Sequence, residues 1–119
     1  MIVAGIGCRR GCPADDIFSI VRAAERRADC RVDALAAPAF KRDETGLLAA
    51  ARSLGMDISF IAAAELDAVQ DRCPTKSAAA SRHVGAASVA EAAAIAACGG
   101  ELILPRIANR RATCALAAS

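Results

Sequence analysis

The N-terminal segment constrains the fold of this 119-residue chain more than any other feature. An apolar run, Ile2–Ile6, ends at two closely spaced glycines, Gly5 and Gly7. Apolar residues then recur at helical spacing on one face, at Ile17, Ile20, Val21 and Ala24. Pro13 suits the first turn of this helix, because the N–H that it lacks would have no partner there. This order predicts a strand, a loop and a helix, which is typical of an α/β fold.

Strands and helices continue to alternate along the chain. Further strands are predicted at Arg31–Ala37, Asp57–Ile61, Glu101–Leu104 and Ala112–Ala117. Helices are predicted between them, at 43–54, 62–69, 75–83 and 88–98. The last two strands flank the basic segment Arg106–Arg111, which is long enough for a hairpin loop. We therefore expect a single domain over residues 1–119, an α/β three-layer sandwich whose mixed, mostly parallel sheet has about five strands and a C-terminal hairpin.

Capping residues indicate where two of the helices begin. Asp43 is expected to cap the second helix, and Gly55 is expected to stop it. The residues of this helix expected to face inward are Leu47, Leu48, Ala51 and Leu54. Ser88 and Glu91 form a capping box, in which the hydroxyl and the carboxylate each satisfy a backbone N–H.

Composition and charge exclude several classes of protein. No uncharged apolar run approaches the ~18 residues that span a bilayer, and Arg9 and Arg10 follow too early for a signal peptide, so we expect a cytoplasmic protein without a membrane partner. The net charge is only +2 and the chain has no Tyr or Trp for base stacking, which argues against nucleic acid. The six cysteines show no C-x-x-C spacing, and the one histidine, His83, has no partner at zinc-ligand spacing. No metal and no cofactor are predicted.

Three loops follow predicted strands or helices and are candidates for a ligand site: Gly7–Cys12, Pro38–Glu44 and Cys73–Thr75. The first has glycines spaced G-x-G-x-x-x-G, one residue longer than the dinucleotide fingerprint, and the chain has no P-loop motif. It exposes backbone amides and the guanidinium groups of Arg9 and Arg10 instead. Such a loop suits a carboxylate or a phosphate.

Charged residues in the first two loops supply candidates for catalysis. Cys8 precedes Arg9 and Arg10, which would lower the pKa of its thiol and make it a nucleophile; packing or ligand contact is the alternative. In the second loop, Lys41 and Arg42 oppose the positive end of a helix dipole unless an anion joins them. The catalytic candidates are therefore Cys8, Lys41, Asp43 and Glu44.

Several motifs occur together in one order: Gly5-Ile6-Gly7-Cys8-Arg9-Arg10-Gly11, Lys41-x-Asp43-Glu44-x-Gly46-Leu47, Pro74-Thr75, Ser88-Val89-Ala90-Glu91-Ala92, and Leu104-Pro105-Arg106 with Thr113 beyond it. In these motifs the chain resembles the family of CobE and the C-terminal domain of CbiG, which belongs to cobalamin (vitamin B12) biosynthesis. The resemblance covers almost the whole chain. It departs at Cys12, where the family usually has Thr or Ser, and at Arg106, where the CbiG branch tends to have Lys.

The resemblance implies work on a precorrin, a methylated tetrapyrrole edged with acetate and propionate groups. Arginine binds carboxylates through two parallel hydrogen bonds, so basic residues are expected along the ring edge, with Arg42 among them. The ligand-binding residues are expected to be Gly7, Cys8, Arg9, Arg10, Gly11, Lys41, Asp43, Glu44, Thr75 and Arg106. Because Tyr and Trp are absent, the ring face is expected to lie on aliphatic, Gly and Ala surface.

Three functions stay open from the sequence. A carrier or accessory protein of the aerobic pathway would bind a precorrin or corrinoid intermediate, which the basic groups at strand ends favour. A hydrolase or isomerase would instead act on a precorrin, as CbiG does when it opens a lactone. A structural partner would dock onto another enzyme of the pathway, and the Ala-rich helices would also allow a homodimer.

Overall fold

The computed structural model describes residues 1–74 and 89–119, and within them the chain forms five strands and four helices. Strands β1 to β5 lie at Ile2–Cys8, Ala34–Pro38, Ile58–Ile61, Glu101–Ala108 and Ala112–Ala118. Helices α1 to α4 lie at Ala14–Ala28, Thr45–Leu54, Ala63–Ala68 and Val89–Cys98. None of these helices is long and apolar enough to cross a membrane. The helix predicted at 75–83 and the Ser88 end of the capping box lie outside the described residues.

The strands form one mixed sheet in the order β3-β2-β1-β5-β4. β1 and β2 pair in parallel, as do β2 and β3, whereas β5 is antiparallel to both β1 and β4. Parallel and antiparallel pairs are therefore equal in number, and β4 and β5 form the predicted C-terminal hairpin. Cys8 at the end of β1 pairs with Ala112 at the start of β5, so the hairpin turn lies beside the loop that follows β1.

Helices cover both faces of the sheet, which confirms the predicted three-layer sandwich. On one face α1 and α2 pack against the strands, and the residues that α1 buries there are Ile17, Ile20, Val21 and Ala24, as predicted. On the other face α4 packs Ala92, Ala93 and Ile95 near Val3. A Cβ atom at Gly5 would clash with the backbone of α4. The small residues of α4 and β1 therefore allow helix and sheet to pack closely.

The start of α2 differs from the prediction. The helix begins at Thr45, so the residue before it is Glu44 and not Asp43, and no side-chain hydrogen bond caps it. Asp43 is exposed to solvent. Leu48, expected inside, is 39% exposed, and Ala50 takes an inward position instead. α2 ends as predicted, with Gly55 in the left-handed conformation.

β4 continues beyond its predicted end at Leu104 as far as Ala108. The register with β5 shifts between Leu104 and Ile107, which makes a bulge around Pro105 and Arg106. β4 lies at the edge of the sheet, where bulges are common and proline is tolerated. Arg106 therefore belongs to a strand, and the turn of the hairpin is shorter than expected.

Met1 and Ser119 lie side by side. They are at the end of the β1–β5 pair that is farthest from the hairpin turn. The Met1 amino group donates to the carbonyl oxygen of Ser119 at 3.3 Å, and the Ser119 N–H donates to the carbonyl oxygen of Met1 at 3.1 Å. Ile2 pairs with Ala118 directly beside them. The full length of both strands separates these residues from the loops predicted to bind a ligand.

Candidate functional site

A groove of about 410 Å³ opens at the edge of the sheet where β1 and β2 end, and we call it the cationic groove. β1 contributes Gly7 and Cys8 to its lining, and β2 contributes Pro38. The short turn after β2 and the β4–β5 hairpin supply most of the remaining lining. The groove thus lies at the carboxyl ends of parallel strands, where open α/β sheets bind their ligands.

Five cationic side chains line the cationic groove, and no acidic side chain lines it among the described residues. Arg9 comes from the loop after β1 and Lys41 from the turn after β2. The β4–β5 hairpin supplies Arg106, Arg110 and Arg111. The single ion pair in residues 1–74 and 89–119 lies elsewhere, so none of the five is paired within that part of the chain. Like charges lining one concave surface attract anions. The arrangement suits a ligand that carries several negative charges.

Phe40 gives the groove an aromatic surface. Its side chain is 73% exposed, and the Nζ of Lys41 lies 5.7 Å from the centroid of its ring, within the range of a cation–π contact. An exposed ring beside cations suits a flat ligand with charges at its edge. The groove lining thus includes an aromatic side chain besides the aliphatic, Gly and Ala surface that the sequence predicts for the face of the ring.

Asn109 fixes the tip of the β4–β5 hairpin. Its Oδ1 accepts the N–H groups of Arg111 at 3.2 Å and of Ala112 at 2.9 Å, and its Nδ2 donates to the carbonyl oxygen of Asp16 in α1 at 2.8 Å. The N–H of Arg9 donates to the carbonyl oxygen of Arg111 at 3.0 Å. The backbone of the tip is thereby attached both to α1 and to the first loop.

Glu91 supports the β4 bulge from the first turn of α4. The residue is 0% exposed, and its Oε2 accepts the backbone N–H of Arg106 at 2.9 Å. A buried carboxylate is stable only when hydrogen bonds compensate for its lost solvation. This bond fixes the backbone from which the Arg106 side chain reaches the cationic groove. The sequence predicts Glu91 only as a helix cap.

Gly7 lies close to a side chain of the strand next to it. Thr113 on β5 donates from its Oγ1 to the carbonyl oxygen of Gly7 at 3.3 Å. A Cβ atom at Gly7 would lie 2.5 Å from that hydroxyl oxygen, so a larger residue would displace the Thr113 hydroxyl. Packing within the sheet therefore favours a glycine at this position.

Cys8 is not activated by the arginines that follow it, which favours packing or ligand contact over a nucleophilic role. Burial raises the pKa of the Cys8 thiol, Lys41 lowers it and Glu44 raises it, with an upward net shift. The expected lowering of this pKa by the neighbouring arginines is therefore wrong. A thiol that stays protonated at neutral pH is a poor nucleophile. Burial is also the main reason that the pKa of the Cys12 thiol rises to about 11.

Glu44 stabilises the first loop. Its Oε2 accepts the N–H of Gly11 at 3.0 Å, which links the loop to the start of α2. Gly11 has a φ of 74°, a backbone conformation that glycine adopts readily and other residues avoid. Glu44 and Gly11 thus hold the loop in shape and do not line the groove.

The structure brings together part of the predicted ligand site. The predicted residues that line the cationic groove are Gly7, Cys8, Arg9, Lys41 and Arg106. Those that lie outside its lining are Arg10, Gly11, Asp43 and Glu44. Arg42 donates from its Nε to the carbonyl oxygen of Ala39 at 3.1 Å and does not line the groove either. Thr75 lies outside the described residues.

The groove-lining residues that sequence reasoning missed include Phe40, Asn109, Arg110, Arg111 and Thr113. A signal for the two arginines is present in the sequence, because Asn109 is a typical turn residue and both follow it. A turn placed at Asn109 would have brought both arginines to the edge of the sheet where β1 ends. Phe40 has no such signal, since an aromatic residue after a strand usually packs inside.

Comparison with known proteins agrees with this architecture. The family model described as cobalamin synthesis G C-terminus matches residues 2–117. The curated Protein CobE from Sinorhizobium sp is 32% identical over 123 residues, covering 98% of this chain and 79% of that protein.

Two solved structures are similar to the chain. One is CobE, described as a protein from the cobalamin (vitamin B12) biosynthetic pathway, with a TM-score of 0.89, 38% identity, and coverage of 98% of this chain and 89% of that one. The other is the cobalamin biosynthesis protein chiG from Agrobacterium tumefaciens str. C58, with a TM-score of 0.82, 41% identity, and coverage of 100% and 98%.

The fold and the site define a small α/β protein with a cationic groove beside its first strand. The chain belongs to the family of CobE and the CbiG C-terminal domain, and it is a protein of cobalamin biosynthesis.

Proposed function

We propose that this protein binds a methylated precorrin or another corrinoid intermediate in the cationic groove and acts as a carrier or accessory protein of the aerobic pathway. The observation that supports this most is the charge of the groove, which has five cationic side chains and no acidic one among the described residues. A corrinoid with free side chains is a flat ring with carboxylates around its edge. Its negative charges are complementary to the positive charges of the groove.

The two surfaces of the groove suit the two parts of such a ligand. Guanidinium groups such as those of Arg9, Arg106 and Arg111 bind carboxylates through paired hydrogen bonds, and these are stronger than neutral hydrogen bonds. The exposed ring of Phe40 offers an apolar contact for the face of the macrocycle. Together they would orient a ring by its edge and one of its faces.

A titration with a stable corrinoid tests this proposal. Dicyanocobyrinic acid, added to the protein, should change its visible spectrum on binding and should elute with the protein from a gel filtration column. Arg106→Gln should weaken the affinity by about tenfold, because one charge-assisted contact is lost. The matched control is Arg52→Gln, at an exposed arginine of α2 that does not line the groove, and it should bind as the wild type does. No spectral change and no co-elution would contradict the proposal.

A hydrolase or isomerase that acts on a precorrin is the alternative, and it has less support. It needs Lys41, Asp43, Glu44 and Cys8 around one reacting group, yet Asp43 and Glu44 do not line the groove. The raised pKa of the Cys8 thiol also disfavours nucleophilic attack. Incubation of a precorrin with the pure protein separates the two functions, because an enzyme changes the mass or the chromatographic retention of the recovered ligand and a carrier leaves both unchanged.

A carrier must meet the enzymes that supply and take its ligand. We therefore expect partners among other enzymes of cobalamin biosynthesis. Docking onto such an enzyme as a purely structural partner, and a homodimer, stay predictions. Gel filtration of the protein without ligand tests the second of these.

A further inference from the structure

We infer that the tip of the β4–β5 hairpin makes the cationic groove selective for ionised carboxylates, so that a corrinoid whose side chains are amides binds far more weakly. This inference rests on the proposed function and adds a specificity to it. The residues that carry it are Arg110 and Arg111, with Arg106 on the strand that leads to the tip.

The hairpin supplies most of the positive charge in the groove. The groove has five cationic side chains, and three of them lie on β4 or on the turn: Arg106, Arg110 and Arg111. Lys41 lines the same groove, and no acidic side chain of the described residues does. Charges of one sign held together without counter-ions repel each other. An anionic ligand relieves this repulsion, whereas a neutral amide does not.

The tip is also held in position before any ligand arrives. The three hydrogen bonds of the Asn109 side chain and the bond from Arg9 to Arg111 restrain the backbone of the turn. Glu91 restrains the backbone at Arg106 in the same way. Donors on a restrained backbone lose less freedom when they bind, so more of their interaction with a carboxylate appears as affinity.

An amide cannot replace a carboxylate at these positions. A guanidinium group has only donors, and a carboxylate offers two acceptor oxygens and a full negative charge. An amide offers one acceptor oxygen, carries no charge, and turns an NH₂ donor toward the guanidinium. The loss of about two such contacts corresponds to a change in affinity on the order of a hundredfold.

Two stable corrinoids test the inference directly. Dicyanocobyrinic acid has free carboxylates, and in dicyanocobinamide the same side chains are amides. We expect the acid to bind on the order of a hundredfold more tightly at low salt. This preference should shrink when the salt rises from about 0.05 M to about 0.5 M, because the groove is open to solvent ions. Binding is followed by the change in the visible spectrum of each corrinoid.

A double variant of the hairpin tip locates the preference. Arg110→Gln with Arg111→Gln should weaken binding of the acid by at least about tenfold and leave binding of the amide nearly unchanged. The matched control is Arg26→Gln with Arg27→Gln, which removes the same charge from two adjacent exposed arginines at the end of α1. This control should keep the preference of the wild type.

Each outcome has a distinct meaning. Equal affinity for the two corrinoids would overturn the inference and leave the proposed function intact. The absence of binding by either corrinoid would overturn the proposed function and the inference with it. An equal loss in the hairpin variant and in its control would show that total charge, and not the hairpin tip, sets the preference, which also overturns the inference.

Discussion

The two ends of the sheet use arginine in opposite ways. At the carboxyl ends of the parallel strands, the cationic groove has no acidic side chain in its described lining. At the other end, a cavity of about 270 Å³ has Arg22 and Arg31 together with Glu25 and Asp33 in its lining, and we call it the paired-charge cavity.

Three of the four charged side chains in the paired-charge cavity make contacts within the protein. Arg22 Nη1 lies 2.7 Å from Glu25 Oε1, and Glu25 Oε2 accepts the N–H of Val32 at 2.9 Å. Asp33 Oδ2 accepts the N–H of Ile2 at 2.8 Å. These carboxylates join α1 and β1 to the segment before β2. Arg22 is therefore paired with an acid of the paired-charge cavity, whereas the arginines of the cationic groove have no acidic partner among the described residues.

The largest effect on stability should come from Glu25→Ala. The change removes the partner of Arg22 and leaves the N–H of Val32 without its acceptor, which should cost about 2 kcal/mol in the free energy of unfolding. Urea denaturation measures this cost. Affinity for a corrinoid should stay unchanged. The matched control is Glu65→Ala, at an exposed position of α3, with a cost of about 0.5 kcal/mol. Similar costs for both variants would contradict the structural role of Glu25.

Arg9 and Arg10 provide a test within one loop. Arg9 lines the cationic groove and Arg10 does not. Arg9→Ala should therefore weaken corrinoid binding by about tenfold, and Arg10→Ala by no more than about twofold. Both melting temperatures should stay close to that of the wild type, because both side chains are exposed. Equal losses of affinity would mean that the loop acts only through its total charge.

The contribution of Glu25 in the paired-charge cavity to the stability of the protein should depend on pH. Burial alone would raise the pKa of Glu25, but the Val32 N–H and the Arg22 guanidinium outweigh it, and the net pKa is lowered. A group whose pKa is lower in the folded state stabilises the fold above its unfolded pKa, and this stabilisation is lost as the pH falls through the folded pKa. The wild type should therefore lose more stability than Glu25→Gln on acidification below the usual range of a glutamate. Parallel pH profiles would contradict this.

The smallest effect should come from Arg22→Gln. The Arg22 side chain is 41% exposed, so solvent screens its ion pair with Glu25. Its guanidinium also lies 5.2 Å from the centroid of the Phe18 ring. We expect a loss of about 0.2–1 kcal/mol in thermal unfolding experiments, since the Val32 N–H still binds the carboxylate. A loss as large as that of Glu25→Ala would mean that the ion pair matters more than the backbone contact.

Local patterns predict most of this fold, and the places where they fail share a cause. The apolar face of α1, the stop at Gly55 and the final hairpin follow from spacing and turn chemistry within a few residues. Asp43 does not cap α2, because the helix begins after Glu44, whose carboxylate accepts the N–H of the distant Gly11. β4 passes Pro105 because its place at the edge of the sheet tolerates a bulge. The local sequence shows neither the hydrogen bond between Gly11 and Glu44 nor the place of β4 at the edge of the sheet.

The site is less predictable than the fold for the same reason. Arg9, Lys41 and Arg106 follow from the rule that strand ends carry ligands and from the family resemblance. Arg110 and Arg111 enter the groove only because β5 runs antiparallel to β1, which sets the hairpin turn next to Cys8. The electrostatics of Cys8 depend on burial and on Glu44, which follows it by a long stretch of chain.

The adjacency of Met1 and Ser119 determines how this protein can be attached to something else. Met1 lies directly before β1 and Ser119 directly after β5, and the groove lies at the other ends of these strands. Seven residues of strand separate the two places, or roughly 20 Å. A tether, a surface or a second domain joined at either residue would therefore leave the groove open. Two such linkages would start from nearly the same point, so the protein could be inserted into a loop of a host without stretching it.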